Sequence, residues 1–207
     1  MRKVLFLDRD GVINKDVSYL YKISDLEWVD GAKEALAYAY SKGYDLIVVT
    51  NQSGVARGYY KESDVQILHD HMAHELDRSG APILHFYYCP HHKEGAIPLY
   101  AVDCECRKPK PGMIKQAIKD YHVDPTESFL IGDSQRDVDA AEAAGVKGYL
   151  FTGTNLLDFI KTIVSSLSEI IPDSSIISAP LEKENKVLTS IDLLSISNFS
   201  TYISSVF

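Results

Sequence analysis

The feature that most constrains the fold is a short apolar run that ends abruptly at two carboxylates. Residues 4–7 are all apolar, and Asp8, Asp10 and Gly11 follow within four positions. Such a run, bounded by a turn, is typical of a strand buried on both faces of a parallel sheet. Open α/β sheets bind ligands just outside the carboxyl ends of their strands. Taken alone, the motif also fits an ordinary acidic turn, so the rest of the chain has to decide.

Apolar runs alternate with helical patterns as far as about residue 151. Strands are predicted at residues 4–7, 44–51, 83–88, 128–133 and 147–151, and helices at 30–41, 61–79, 113–121 and 137–145. This alternation predicts an α/β fold, with a doubly wound, Rossmann-like parallel sheet and right-handed crossovers. Asp30 is the expected N-cap of the first helix, and Gly43 is its expected end.

The length predicts a single domain over residues 1–207, because 207 residues, 45% of them hydrophobic, suffice for one sizeable core. Residues 155–186 form an unusual connection whose first part, 156–167, has helical periodicity. A closing strand and helix are expected within residues 187–207.

Composition excludes several classes of partner. The net charge is −8 and no long basic stretch is present, so nucleic acid and anionic membranes are poor candidates. No signal peptide and no run of transmembrane length are apparent. The three cysteines lie close together in the sequence, which favours a metal site over a disulfide framework. The expected setting is the cytoplasm.

The cysteine segment, residues 89–106, offers four zinc ligands in two close pairs. Cys89 and His91 form one pair, and Cys104 and Cys106 form the other. A Cys₃His set can close a tetrahedral, structural Zn²⁺ site that clips the intervening loop into shape. His92 is the rival to His91. Free buried thiols and a disulfide are the alternatives.

Four polar side chains are expected to meet at the carboxyl ends of the strands: Asp8, Thr50, Lys108 and Asp133. Carboxylates suit Mg²⁺, whereas a hydroxyl and an ammonium suit phosphate. Asp8 could then attack phosphorus, with Asp10 donating and accepting protons. Considered singly, Thr50 could be an exposed hydroxyl, Lys108 a surface charge and Asp133 a helix cap.

This ordered set resembles the haloacid-dehalogenase-like (HAD) phosphohydrolases. Their four motifs match Asp8-x-Asp10-Gly11, Thr50, Lys108 and Gly132-Asp133-x-x-x-Asp137. The resemblance implies that Asp8 is the nucleophile and Asp10 the acid/base. It also implies that Asp8, the Asp10 carbonyl and Asp133 bind Mg²⁺, with Asp137 in support.

Within that superfamily, the chain looks like the D-glycero-D-manno-heptose 1,7-bisphosphate phosphatases. Residues 8–14, 50–58, 89–92 and 104–113 carry the likeness. It implies a capless enzyme that removes the 7-phosphate of the heptose in the biosynthesis of lipopolysaccharide or another surface glycan. The implied substrate contacts are Asp16, Val17, Ser18, Tyr19, Asn51, Gln52, Ser53 and Arg107, with Arg107 on the anomeric phosphate. Ser134 departs from the lysine that is common in the family.

Two other functions stay open at this point. A histidinol-phosphate phosphatase would share the motifs and the zinc ligands, although the twelve-residue loop 92–103 favours the heptose enzyme. A catalytically inactive, zinc-stapled binding protein is the second alternative. The predicted partner is a small phosphosugar, and the chain is expected to be a monomer or weak homodimer. His69, His71 and His74, on the helix predicted at 61–79, are expected to face solvent.

Overall fold

A computed structural model describes residues 1–169, and the side chains of residues 1–167. Within that range, five strands form one parallel sheet in the order β3-β2-β1-β4-β5. The strands are β1 Val4–Leu7, β2 Asp45–Asn51, β3 Ile83–Cys89, β4 Phe129–Gly132 and β5 Lys147–Leu150. The predicted parallel α/β sheet is therefore confirmed. The closing strand and helix expected in residues 187–207 lie outside the described residues, as does the end of the connection 155–186.

Helices connect the strands and cover the sheet. They are α1 Ala32–Ser41, α2 Gly54–Arg57, α3 Glu62–Arg78, α4 Gly112–Tyr121, α5 Gln135–Glu142 and α6 Leu156–Glu169. The prediction of Asp30 as the first N-cap is wrong: that position is held by Gly31, whose φ of 73° lies in the left-handed region. A Cβ at Gly31 would meet the side chain of Asn155, so glycine is also needed for space.

The sheet separates two apolar cores, because the side chains of a strand alternate between its faces. On one face, Leu5 and Leu7 pack with residues of α1, α3 and α6. On the other face, Val4 and Phe6 pack with residues of α4 and α5. All four β1 side chains are fully buried, and each stabilises the fold by about 1.5–3 kcal/mol. The continuous apolar run that opens the chain is thus the centre of the molecule.

The order of the strands reverses at β1. The chain adds β2 and β3 on one side of β1 and then crosses to place β4 and β5 on the other. Leu7 is in register with Val48 of β2 and with Ile131 of β4. The residues just beyond these three positions therefore meet at one edge, where such sheets leave a crevice. Between β1 and α1 the only regular element is the 3₁₀ turn Ile23–Asp25, so no cap domain is inserted there.

Candidate active site

Asp8 and Lys108 form a buried ion pair at the carboxyl end of β1. Asp8 is 4% exposed, and the Lys108 Nζ lies 2.9 Å from its Oδ1. The same ammonium lies 2.7 Å from the Oδ1 of Asp137 on α5 and donates to the Val49 carbonyl at 2.8 Å. One buried cation thus joins two carboxylates, one at the end of β1 and one on α5.

The surroundings of Asp8 shift its proton affinity. Burial raises the pKa of Asp8 to about 7, since the nearby charge of Asp137 adds to burial while Lys108 only partly opposes both. For Asp137 the balance is reversed. Burial acts to raise its pKa, but the charge and hydrogen bond of Lys108, helped by Ser134, bring it below its usual value. Additional positive charge near Asp8 would therefore favour its ionised form.

Asp133 follows β4 and brings a third carboxylate to this edge. Oxygens of Asp8, Asp133 and Asp137 all lie within 4.8 Å of one another. The Oδ1 of Asp133 is buried and has no hydrogen-bond partner among the described residues. Gly11, with φ of 82°, lies so close to this carboxylate that a Cβ would collide with it. An unpartnered carboxylate oxygen in a cluster of hard ligands fits a divalent cation such as Mg²⁺.

Several hydrogen-bond donors surround the carboxylate of Asp10. Nη2 of Arg9 donates to its two oxygens at 3.0 and 3.1 Å. The amides of Asn14 and Gln52 each donate to it at 3.0 Å. Neither Arg9 nor Asn14 was among the predicted site residues. The available signal was the arginine placed between two aspartates at the end of an apolar strand, because a guanidinium buried there needs a carboxylate partner.

The two residues that follow Thr50, Asn51 and Gln52, support the site with side-chain hydrogen bonds. Gln52 is 2% exposed, and its amide donates to Thr50 Oγ1 at 2.8 Å and accepts from the Tyr60 hydroxyl at 2.8 Å. The Asn51 amide makes two hydrogen bonds of 3.1 Å to the backbone of Lys108. Both were expected among the substrate contacts. In the structure their amide groups bond to Thr50, Asp10 and Lys108, and their contact with substrate stays a prediction.

The other expected substrate contacts lie on loops around the crevice. Asp16, Val17, Ser18 and Tyr19 are exposed, and Ser18 and Tyr19 have left-handed φ values of 56° and 59°. Ser53 immediately precedes α2. Arg107 is half-buried, and its Nη1 donates to the His91 carbonyl at 3.3 Å.

Ser134 has a structural contact of its own. Its hydroxyl donates to Asp137 Oδ2 at 2.6 Å, and its amide donates to the same oxygen at 3.1 Å. These bonds occupy Asp137 Oδ2, whereas the Oδ1 atom faces Lys108. Ser134 therefore orients Asp137 at the start of α5.

The four predicted zinc ligands converge in a second cluster. Cys89 Sγ lies 3.5 Å from Cys104 Sγ and 3.7 Å from His91 Nδ1. Cys106 Sγ lies 3.2 Å from Cys104 Sγ and 3.4 Å from His91 Nδ1. Tetrahedral Zn²⁺ with Zn–S bonds of about 2.3 Å would hold its sulfurs roughly 3.8 Å apart. The residues present therefore fit a closed zinc site.

Of the alternatives for this cluster, the structure bears on the disulfide and on His92. The three cysteines are unpaired, so no disulfide forms. His92 turns away: its Nε2 lies 3.2 Å from Arg57 Nη2, and its Nδ1 accepts from the Glu94 amide at 3.2 Å. Hydrogen bonds from Cys89, Cys104 and His91 lower the pKa of Cys106 to about 5 against the effect of burial. A thiolate is the form in which cysteine binds a metal.

The prediction that the histidines of α3 face solvent is wrong for His69. His69 is 2% exposed, and its Nε2 lies 3.2 Å from Arg9 Nη1. Its ring stacks on Phe86 of β3 with centroids 4.6 Å apart. His71 is half-buried and His74 is exposed. The apolar stripe of α3 includes His69, so its position on the helix decides its burial.

Comparison with known proteins identifies the family. The chain is 48% identical to the D-glycero-α-D-manno-heptose-1,7-bisphosphate 7-phosphatase of Photorhabdus laumondii over 144 residues, which is 70% of this chain and 79% of that protein. It is 47% identical over 163 residues to the β-anomer enzyme of Rhodopseudomonas palustris, which is 79% of this chain and 91% of that protein. The chain belongs to the heptose-1,7-bisphosphate 7-phosphatase family.

The superfamily and the fold agree with this family. The HAD-hydrolase-like profile matches residues 105–158. The crystal structure of D,D-heptose 1,7-bisphosphate phosphatase from B. bronchiseptica, complexed with magnesium and phosphate, superposes with a TM-score of 0.68 at 29% identity. The match covers 79% of this chain and 99% of that one.

Membership in the heptose-bisphosphate phosphatase family makes the chain a phosphoric monoester hydrolase, as predicted. It favours this enzyme over a histidinol-phosphate phosphatase and over an inactive binding protein. Within residues 1–169, no helix combines the length and apolar character that crossing a membrane requires.

Proposed function

We propose that the chain removes the 7-phosphate of D-glycero-D-manno-heptose 1,7-bisphosphate through an aspartyl-phosphate on Asp8. The observation that carries the proposal is the meeting of Asp8, Lys108, Asp133 and Asp137 at one edge of the sheet, within ion-pair or metal-ligand distance. The named relatives suggest the substrate, and the side chains at this edge suggest the chemistry.

The first step transfers the phosphoryl group to the enzyme. An Asp8 carboxylate oxygen attacks phosphorus, and the bond from phosphorus to the sugar oxygen breaks. Asp10 gives its proton to the departing alkoxide, and Lys108 and Thr50 donate hydrogen bonds to the phosphoryl oxygens. Asp10 suits this role because Arg9, Asn14 and Gln52 hold it in one orientation.

The second step returns the enzyme to its starting state. A water molecule attacks phosphorus and gives its proton to Asp10, which the first step left as a carboxylate. The bond from phosphorus to the Asp8 oxygen breaks, which releases inorganic phosphate and restores the Asp8 carboxylate. The ammonium of Lys108, 2.9 Å from Asp8 Oδ1, stabilises the leaving carboxylate.

Asp8, Asp133 and the Asp10 carbonyl would hold Mg²⁺. When bound, the cation supplies the positive charge that lets an anionic nucleophile approach an anionic phosphate. Its support here is the buried, unpartnered oxygen of Asp133. It would also favour ionised Asp8, whose pKa burial raises to about 7.

Recognition of the sugar would fall to loops, because residues 1–169 include no cap domain. Residues 16–19 and Ser53 lie on exposed or half-exposed loop surface suited to hydroxyl contacts. Arg107 would hold the anomeric phosphate with its planar fork. Zn²⁺ bound by Cys89, His91, Cys104 and Cys106 would orient that arginine, which directly follows Cys106 and donates to the His91 carbonyl.

The proposed setting is the cytoplasm, in the heptose branch of surface-glycan synthesis such as that of lipopolysaccharide. Unpaired cysteines gathered in a metal-ligand cluster suit a reducing compartment. The partner is the phosphosugar itself, and we propose a monomer or weak homodimer.

The test is Asp8→Asn, which keeps the size of the side chain but removes the nucleophile. We expect kcat for heptose bisphosphate to fall by roughly 10³-fold or more. Acid-quenched wild-type enzyme should carry a phosphoryl group on Asp8. The matched control is Asp139→Asn on the exposed side of α5, which should keep full activity.

Substrate choice is tested by comparing kcat/KM for the α- and β-anomers of heptose 1,7-bisphosphate with that for histidinol phosphate. Both anomers are needed because the relatives include enzymes named for each. Full turnover by Asp8→Asn would overturn the nucleophile, and a preference for histidinol phosphate would overturn the substrate.

A further inference from the structure

Arg9 is fully enclosed, with 0% of its surface exposed, as is Asp137 among the described residues. Besides its contacts with Asp10, its Nη2 donates to the Leu20 carbonyl at 2.9 Å and to Gln52 Oε1 at 3.2 Å. Its Nη1 points the other way, to His69 Nε2 at 3.2 Å. The guanidinium therefore lies between the candidate acid/base and a buried ring of α3.

The chemistry of arginine decides which ring nitrogen of His69 carries the proton. A guanidinium only donates hydrogen bonds, so His69 Nε2 must accept with its lone pair and the ring proton must be on Nδ1. Burial, with a smaller contribution from the charge of Arg9, lowers the pKa of His69 well below its usual value. His69 is therefore a neutral acceptor at physiological pH.

A neutral acceptor suits this position better than a carboxylate would. A carboxylate at residue 69 would neutralise Arg9 and compete with Asp10 for it. The imidazole instead accepts from Nη1 without adding charge, which leaves Nη2 to hold the Asp10 carboxyl. This hydrogen bond gives Nη1 and Nε2 one preferred arrangement, while His69 Nδ1 is buried without a hydrogen-bond partner among the described residues.

Two aromatic residues hold the ring of His69 in place. Its ring stacks on Phe86 at 4.6 Å and meets Tyr88 edge-on at 5.8 Å between centroids. Both aromatic residues belong to β3, a rigid strand of the sheet. The orientation of Arg9 is thus set by an interaction that spans 60 residues of sequence.

We infer that Arg9, held by His69, is a positioning residue that keeps the Asp10 carboxyl aimed at the leaving-group oxygen. This inference rests on the proposed function of Asp10 as acid/base. Nη2 also anchors Leu20 at the end of loop 16–19, so the same guanidinium ties the acid/base to the loop proposed to contact the sugar.

The test uses two variants of His69 that differ in one property. His69→Phe keeps a flat ring for stacking on Phe86 but removes the acceptor for Arg9. His69→Gln restores an acceptor at nearly the same reach. His74→Phe, on the exposed side of the same helix, is the matched control.

The readout is kcat/KM for two kinds of substrate, because this constant reports the step in which Asp10 protonates the leaving group. A sugar phosphate releases a basic alkoxide, whereas p-nitrophenyl phosphate releases an anion that needs little protonation. We expect His69→Phe to lower kcat/KM about tenfold for the sugar phosphate. For the aryl phosphate the expected loss is less than about twofold, and His69→Gln and His74→Phe should stay near wild type on both substrates.

Equal losses on both substrates, or no loss in a folded His69→Phe protein, would overturn the inference. The inference would also be overturned if weaker Mg²⁺ binding by His69→Phe accounted for its whole loss of kcat/KM. If His69→Phe does not fold, Arg9→Lys decides. Lysine keeps the charge but cannot reach Asp10, Leu20 and His69 together, so the same leaving-group dependence is expected.

Failure of the proposed function would give a different pattern. If Asp10→Asn itself lost the same factor on both substrates, Asp10 would not be the acid, and the assignment of the acid/base would fail. If Asp10→Asn shows the leaving-group dependence and neither His69→Phe nor Arg9→Lys does, only the positioning role of Arg9 fails.

Discussion

The aspartates at the end of the sheet differ in their partners, and their partners set their chemistry. Asp8 is buried beside the ammonium of Lys108. Asp10 receives hydrogen bonds from an arginine and two amides. Asp133 keeps one buried oxygen without a partner among the described residues. These different surroundings suit the proposed roles of one residue type as nucleophile, acid/base and metal ligand.

The raised pKa of Asp8 predicts a pH dependence of stability in the metal-free protein. The folded state holds this proton up to pH about 7, whereas an aspartate in the unfolded chain releases it near pH 4. Protonation therefore favours folding, and the contribution of Asp8 is lost as pH rises from about 4 to about 7. The slope is at most about 1.4 kcal/mol per pH unit.

The measurement is the free energy of unfolding of wild type minus that of Asp8→Asn, from urea titrations without divalent cations. The difference should fall as pH rises through this window and should level off above it. A difference that stays constant from pH 4 to pH 8 would show that Asp8 is already ionised at low pH.

At the scale of elements, the loop 89–106 depends on its ligand cluster. The loop exposes Ile97 and Leu99 to solvent, so the burial of these two side chains contributes little to its shape. Its contacts with the domain include hydrogen bonds, such as Tyr100 to Glu62 at 2.6 Å and the Ile97 amide to the Ala56 carbonyl at 2.9 Å, and the packing of its cysteines and Tyr100 against apolar cores. A bound metal would supply the missing stabilisation.

Removal of zinc with a zinc-selective chelator, in excess Mg²⁺, should lower the melting temperature by several degrees. It should also raise KM for heptose bisphosphate, because Arg107 follows the ligand Cys106 directly. The kcat for p-nitrophenyl phosphate should change little, since Asp8 and Lys108 lie outside the cluster. Unchanged melting and kinetics after loss of the metal would contradict a structural role.

At the scale of the whole molecule, the site unites elements from both sides of the sheet. Asp8 follows β1, Asp133 follows β4, and Lys108 comes from the turn before α4. These groups do not lie together in the unfolded chain. A ligand that needs all of them therefore binds only the folded state, and its binding free energy stabilises the entire fold.

Saturating Mg²⁺ should therefore raise the melting temperature of the whole domain in one transition. At a free Mg²⁺ concentration of 100 times its dissociation constant, the gain in unfolding free energy is about 2.7 kcal/mol. Asp133→Asn should abolish the response, whereas Asp139→Asn on exposed α5 surface should keep it. Equal responses in both variants would place the cation elsewhere.

The sequence by itself determined the strands, the doubly wound sheet, the meeting of Asp8, Lys108 and Asp133, and the gathering of three cysteines with His91. Apolar runs reveal buried strands, and parallel strands share one edge, so residues at their ends must converge. Two short elements, α2 and the 3₁₀ turn Ile23–Asp25, escaped prediction. The first of them is supported by a tertiary contact, the Ala56 amide to the Pro90 carbonyl at 3.1 Å.

Only the tertiary structure decided which polar side chains face the crevice and which support it from behind. Asn51 and Gln52 follow the same strand end as Thr50, yet they turn to the backbone of Lys108 and to Asp10. His69 faces Arg9 because α3 packs across the sheet from a distant part of the chain. Periodicity places a residue on a face of its own helix or strand, but its partner depends on how separate elements pack.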